Sequence, residues 1–315
     1  MQPAQPISLR RSTAPSRHVS YVQRERWLGV ALIMPSVLLI VVLVLYPFFY
    51  NIWMSLQDIH LMRGSQGFAG VKNYAYLFGN AAFWNALWVD VIWTVGSIVG
   101  QVVLALIIAH LLNAEFVGRG LARSLMILPW TVSAVVIAFV WRWMLNDLFG
   151  VINYFLQWIG LVNEPVLFFA TQGKAIATLI VMNIWRGVPF MTLSFLGGLQ
   201  GIPRELYEAA RVDGANFWDE FRHITLPGLK RIIAIVVVLR GIWVFNWFDL
   251  IWLTTGGGPL HSTETLPVLA YVTGFISFRM SRAAAISVLM ALVLMVAVAI
   301  FFRITRTEEE EREAA

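Results

Sequence analysis

The sequence predicts an all-α integral membrane protein with six membrane-spanning helices, and three observations carry that prediction. Of the 315 residues, 59% are hydrophobic and only 13% charged, about half the charged share of a soluble globule. Six apolar stretches are each long enough to cross a bilayer. A hydrocarbon core about 30 Å thick needs about 20 helical residues that satisfy their own backbone hydrogen bonds. Lys and Arg, finally, crowd into alternate connections, fifteen on one side against five on the other. Basic connections are held on the cytoplasmic side, so both termini are expected there.

In chain order, residues 1–26 form a polar, basic cytoplasmic tail. It resembles the charged start of a signal peptide, but the apolar run that follows is too long and lacks a small-residue cleavage site, so it is expected to stay as the first helix. The six spans run from Trp27 to Tyr50, Ala86 to Leu112, Leu125 to Leu145, Ala175 to Leu196, Ile232 to Leu253 and Ala283 to Phe302. Together they make a transmembrane domain over residues 27–302, and residues 303–315 are an acidic cytoplasmic tail. From Thr305 onward, with Glu308 to Glu311, that tail is expected to be solvated and without fixed structure. Gly96 and Gly100 make a small-xxx-small pair in the second span, read as packing within the chain.

The inventory closes several chemistries. There is no Cys, hence no disulfide, thiolate metal site or cysteine nucleophile. The five His residues form no HExxH pair, and no Gly-rich phosphate loop precedes any of the three lysines. The chain is therefore not expected to be an enzyme or to carry a cofactor of its own. Its basic residues are too scattered for a nucleic-acid partner.

One connection, residues 197–230, is far longer than antiparallel helices require. Pro203 stands at a first helical position, Glu205 and Glu208 follow where the helix dipole favours negative charge, and Gly214 can stop the helix. Asn216 is a good cap for a second helix opening on Asp219 and Glu220, with Phe217, Trp218 and Phe221 as apolar contacts. Such a short helix fits a groove on a cytosolic partner or lies on lipid headgroups; composition alone leaves both open.

Glu208-Ala209-Ala210, three residues, Gly214, nine residues, then Ile224-x-Leu226-Pro227 resembles the EAA loop of importer-type ATP-binding cassette (ABC) permeases. Further matches resemble the carbohydrate-uptake branch of that family: Gly70, Asn73 and Tyr74; Leu128-Pro129-Trp130 and Trp141; Gly150 and Asn153; and Phe248 to Ile251 with Thr255 and Gly256 to Pro259. Asp90 stands where the family often has threonine. The resemblance implies a type I ABC importer permease in a bacterial inner membrane. Its partners would be a cytosolic ATPase dimer that binds ATP and Mg, a second and usually different permease, and an extracytoplasmic solute-binding protein. By the same resemblance, Glu208, Ala209, Ala210 and Gly214 would dock the loop on the ATPase, supported by Phe217 and Trp218.

A charge at mid-membrane costs about 2.5–3.5 kcal/mol on insertion scales, so it usually faces a bundle interior or a watery path. Asp90, Arg186, Arg240 and Asp249 are such residues. A sugar path needs hydrogen-bonding groups beside aromatic faces. Asn183, Trp185 and Arg186 supply them in one segment, and Arg240, Trp243, Asn246, Trp247 and Asp249 in another. On one continuous helix Arg240, Trp243 and Trp247 share a face that Asn246 and Asp249 oppose. The expectation is Asn183, Trp243 and Asn246 toward the path, with an Arg–Asp249 pair as structure. Trp130, Trp141 and Trp143 read as an aromatic belt or helix packing. Pro189 is expected to break the fourth span. A self-contained secondary transporter or channel is the alternative, though it needs no EAA spacing.

Overall fold

The structure, a computed structural model, describes the backbone of residues 18–313 and the side chains of residues 25–303; residues 1–17 of the basic tail lie outside the described residues. The described residues fall into two compact units, divided between Asn51 and Ile52.

In the first unit, helix α1 (His18–Ile40) runs through a π-helical turn (Val41–Leu45) into α2 (Tyr46–Ser55). The turn has a local cause. Pro47 has no N–H and its ring crowds the preceding turn, and just ahead of it the Tyr46 N–H reaches back five residues to the Val41 carbonyl. The helix from Glu25 to Ser55 is long and apolar enough to cross a membrane, and its Leu and Val side chains are exposed, as a lipid-facing helix requires.

The second unit opens with a two-stranded antiparallel hairpin, β1 (Gln57–His60) and β2 (Gly64–Phe68), and a short helix α3 (Lys72–Phe78). The long helix α4 (Ala81–Asn113) starts on an Asn80 cap that accepts the Ala82 N–H. At 33 residues it spans about 50 Å. A chain of short helices follows: α5 (Arg119–Met126), α6 (Leu128–Thr131), α7 (Ala134–Met144) and α8 (Val151–Trp158). Helix α9 (Gln172–Gln200) packs along α4, and α10 (Arg204–Val212), α11 (Phe217–Glu220) and a π turn (Phe221–Thr225) lead into α12 (Leu226–Phe245). The chain ends with α13 (Asp249–Thr255), α14 (Leu266–Tyr271), a π turn (Val272–Ile276) and α15 (Met280–Glu313).

Among the described residues, four helices are long and apolar enough to span a membrane, and a bent pair passes the same test when its two helices are taken together. That pair overlaps the third expected span: residues 119–131 and 134–144 meet at 95°. Pro129 opens α6 without a donor, and Val132 and Ser133 are extended, which ends one helix and starts the next. The fifth expected span is also interrupted. Helix α12 ends at Phe245 because Asn246 turns its amide back onto the Ile242 carbonyl at 2.9 Å, and α13 restarts at Asp249. Pro189, by contrast, does not break the fourth: α9 is continuous through it. Pro189 is buried there, packed within the bundle rather than at a break. The acidic end also differs from expectation, its backbone staying helical to Glu313 because no Gly or Pro interrupts α15.

The α4–α9 contact rests on glycines. A β-carbon on Gly96 would lie 3.0 Å from Ile180 Cδ1, and one on Gly100 would overlap Ile184. Gly100→Leu is expected to force these helices apart, destabilising the chain by about 1–3 kcal/mol; a lower unfolding midpoint in detergent checks it. Trp93, fully buried in the same core, donates its indole N–H to the Val244 carbonyl at 2.9 Å, holding the end of α12 against α4. Asp90, the departure from threonine, accepts the Leu266 N–H at 3.3 Å and so anchors the start of α14.

Candidate functional site: a two-helix loop and an arginine–tryptophan cavity

At the C-terminal end of α4 the 197–230 connection folds as two short helices. Pro203 caps α10 one position earlier than expected, and Glu205 sits in its first turn. The stop at Gly214 has a full hydrogen-bond account. Asp213 ends the helix, Gly214 takes φ +84°, its N–H donates to Arg211 O at 3.1 Å, and the Ala215 N–H donates to Ala210 O at 2.9 Å. This double return is the Schellman closure, and the left-handed residue it needs is most easily glycine. Two residues on, Asn216 caps α11: its Oδ1 accepts from Trp218 N at 2.8 Å and Asp219 N at 3.2 Å, while Asp219 accepts the Asn216 N–H at 3.0 Å. Asn216→Ala is expected to cost about 1 kcal/mol of local stability, seen as faster hydrogen exchange at the Trp218 and Asp219 amides.

The two helices are tied by Tyr207 Oη to Thr225 Oγ1 at 2.9 Å and by Arg211 Nε to Glu220 at 2.7 Å. Glu220, by hydrogen bond and by charge, raises the Arg211 guanidinium above its ordinary range. Glu208, Ala209, Gly214, Phe217 and Trp218 are exposed and Ala210 is half-buried. Leu206, Ala209 and Val212 are exposed along with Phe217 and Trp218, between the exposed charges of Arg204, Glu205, Glu208, Arg211 and Asp213. Of the six residues singled out, Glu208 and Phe217 border a cavity of about 700 Å³ shared with His110, Arg119, Arg211 and Glu220; the other four lie outside it.

The polar residues of the spans meet at a second cavity of about 430 Å³, lined by Trp130, Ala134, Arg186, Arg240, Trp243, Trp247 and Asp249. Asp249 shares it with Arg240 because the chain breaks after Phe245, so the continuous-helix expectation that would have kept them apart fails. Arg186 Cζ lies 4.2 Å from the Trp247 ring centre and Arg240 Cζ 5.9 Å from that of Trp243. Behind this wall, Arg240 Nε donates to Gln101 Oε1 at 3.0 Å, and Gln101 Nε2 donates to the Asn183 carbonyl at 3.2 Å.

Three expected path residues lie elsewhere. Asn246 spends its amide on its own helix, the Asn183 side chain is fully buried away from the opening, and Trp185 packs edge-on against Trp141 at 5.8 Å. Trp130, read as belt or packing, instead lines the cavity, stacked on Phe190 at 5.8 Å. Gln101 was not singled out at all; a carboxamide within an apolar run was its only signal.

Residues 101–307 match the family described as binding-protein-dependent transport system inner membrane component. A probable ABC transporter permease of Brucella suis is 38% identical over 287 residues, covering 91% of this chain and 99% of the relative. The trehalose/maltose transport system permease protein MalF of Thermococcus litoralis is 34% identical over 79% of this chain and 83% of its own. The sulfoquinovosyl glycerol transport system permease protein SmoG of Agrobacterium fabrum is 32% identical over 90% and 92%. Among solved structures, a chain of a bacterial ABC transporter that imports the acidic polysaccharide alginate shares the fold, with TM-score 0.78, 24% identity and coverage of 93% of this chain and 99% of that one. The chain belongs to the family of inner membrane components of binding-protein-dependent transport systems, as an ABC importer permease.

Proposed function

We propose that this permease moves a carbohydrate or related polyol from an extracytoplasmic binding protein into the cytoplasm. The relatives named for trehalose and maltose and for sulfoquinovosyl glycerol support the solute class. The chain crosses a bacterial cytoplasmic membrane six times with both termini inside, the bent pair and the interrupted helix supplying the third and fifth crossings. Residues 27–302 are the transmembrane domain, flanked by the two cytoplasmic tails. A dimer of ATPase subunits, which holds the ATP and Mg, supplies the energy, and a second permease, a different chain, completes the pore. This chain catalyses no reaction of its own.

The observation that carries the reading is the 197–230 loop. Its capped helices expose Leu206, Ala209, Val212, Phe217 and Trp218, an apolar surface suited to the groove of a protein partner. Glu208, Ala209, Ala210 and Gly214 form the docking helix and its end. Arg186, Arg240, Trp243, Trp247, Asp249 and Trp130 line the solute's way through the membrane, offering charged hydrogen-bonding groups beside aromatic faces. Purifying the tagged chain from native membranes is expected to bring along a Walker-containing ATPase. With its cognate solute-binding protein added, ATP hydrolysis by the reconstituted complex is expected to rise when one of a panel of sugars is present. A chain that purifies without an ATPase and carries solute alone would instead be a secondary transporter.

A further inference from the structure

We infer that His110 is the positioning residue through which movement of the docking loop reaches the solute cavity, with α4 as the connecting rod; the inference rests on the function proposed above. Helix α10 has no buried residue. It is fastened to the segment behind it, through Tyr207 to Thr225 and Arg211 to Glu220, and its exposed Arg204 pairs with Glu115, just past the end of α4, at 3.6 Å. That segment bears on α4 through rings: the His110 imidazole meets Phe217 and Phe221 edge-on, both at 5.8 Å between centres, while Phe217 and Phe221 stack at 6.5 Å. His110 thus sits in an aromatic socket supplied by the loop.

The end of α4 that carries this ring is stiffened. Arg123 donates to the Leu112 carbonyl at 2.9 Å, capping the helix just beyond His110. From there α4 is regular to Ala81, with no proline in it. Nine residues from His110, Gln101 holds the Arg240 guanidinium in the cavity wall and the Asn183 carbonyl of α9. The glycines Gly96 and Gly100 seat Ile180 and Ile184 of α9 beside the same stretch. A push on the loop therefore displaces a rigid helix whose middle is bonded to the wall of the cavity. Interlocked packing transmits such a displacement because it has few intermediate arrangements.

The chain contains no cysteine, which permits a test that needs no knowledge of the solute. Ala134→Cys places a single thiol of this chain in the cavity lining. In the purified complex with its ATPase, the rate of thiol modification by a charged methanethiosulfonate is measured before and after trapping with ATP and vanadate. With His110 intact the rate is expected to change on trapping. His110→Ala is expected to shrink that change by about three- to thirtyfold, the span over which residues in a coupling network act, whereas His110→Phe, which keeps a ring in the socket, retains it. If His110→Ala does not assemble, Phe221→Leu removes the same contact from the loop side. A full response in either ring-removing variant, or a loss in His110→Phe as large as in His110→Ala, overturns the inference. No ATPase in the complex, or no response with His110 intact, counts instead against the proposed function.

Discussion

Replacing Gly214 by valine is expected to abolish most ATP-driven uptake while the chain still reaches the membrane. The reason is conformational, since a β-carbon at Gly214 meets nothing within 4 Å. The backbone there holds φ +84°, a region that costs a β-branched residue about 1–3 kcal/mol. The chain can relieve that strain only by opening the two hydrogen bonds that close α10, from Gly214 to Arg211 and from Ala215 to Ala210. Asn216 then loses its register, and with it the cap of α11 and the angle between the two helices. The penalty falls on an exposed loop outside the buried clusters, so insertion and overall stability are left nearly intact while the docking surface loses its shape. Asparagine tolerates the left-handed region, so Gly214→Asn is expected to retain most uptake, with Gly214→Ala between. Uptake measured in whole cells against membrane abundance by immunoblot checks the series. Equal uptake across Asn, Ala and Val would mean that the loop's shape is not used.

How much of this was legible in the sequence depends on the range of the forces involved. The loop was readable because caps and stops act over three or four residues: Gly214 and Asn216 announce their roles in their own neighbourhoods. The apolar runs likewise gave the long helices α4, α9 and α15, because hydropathy is additive along a segment. The breaks were harder. Asn246 ends α12 by bonding Ile242, a local contact that competes with continuing an otherwise apolar helix, and composition does not say which wins. A helical wheel drawn through that point therefore put Asp249 on the wrong face. Pro189 erred in the opposite direction, since its local preference was overridden by the packing around it. The cavity wall was least readable of all. Gln101 and Arg240 lie 139 positions apart, and only the close approach of α4, α9 and α12 makes them partners.

That approach leads to the second large effect: Gly187→Ala is expected to cripple uptake, and Arg240→Met in the same chain to restore part of it. Any β-carbon at Gly187 would collide with the Gln101 amide and the Arg240 guanidinium. Both are ends of flexible side chains, but neither is free to swing. They are bonded to each other at 3.0 Å, Gln101 also holds the Asn183 carbonyl, and Arg240 is 1% exposed. Moving them strips a buried guanidinium of its side-chain acceptor, and hydrogen bonds to charged groups are worth about 1.5–3 kcal/mol. Breaking one partner of a buried polar pair is more damaging than replacing the charge with an apolar side chain of similar volume. Methionine at 240 removes the stranded charge and yields to the new methyl group, so the double variant should unfold at a higher temperature than Gly187→Ala alone. Uptake should return only in part, since the cavity then lacks one of its two arginines. The measurement is a double-mutant cycle on thermal unfolding in detergent, run beside uptake in cells. Additive effects of the two substitutions would show that the glycine notch and the arginine are independent, and that Gly187 is small for some other reason.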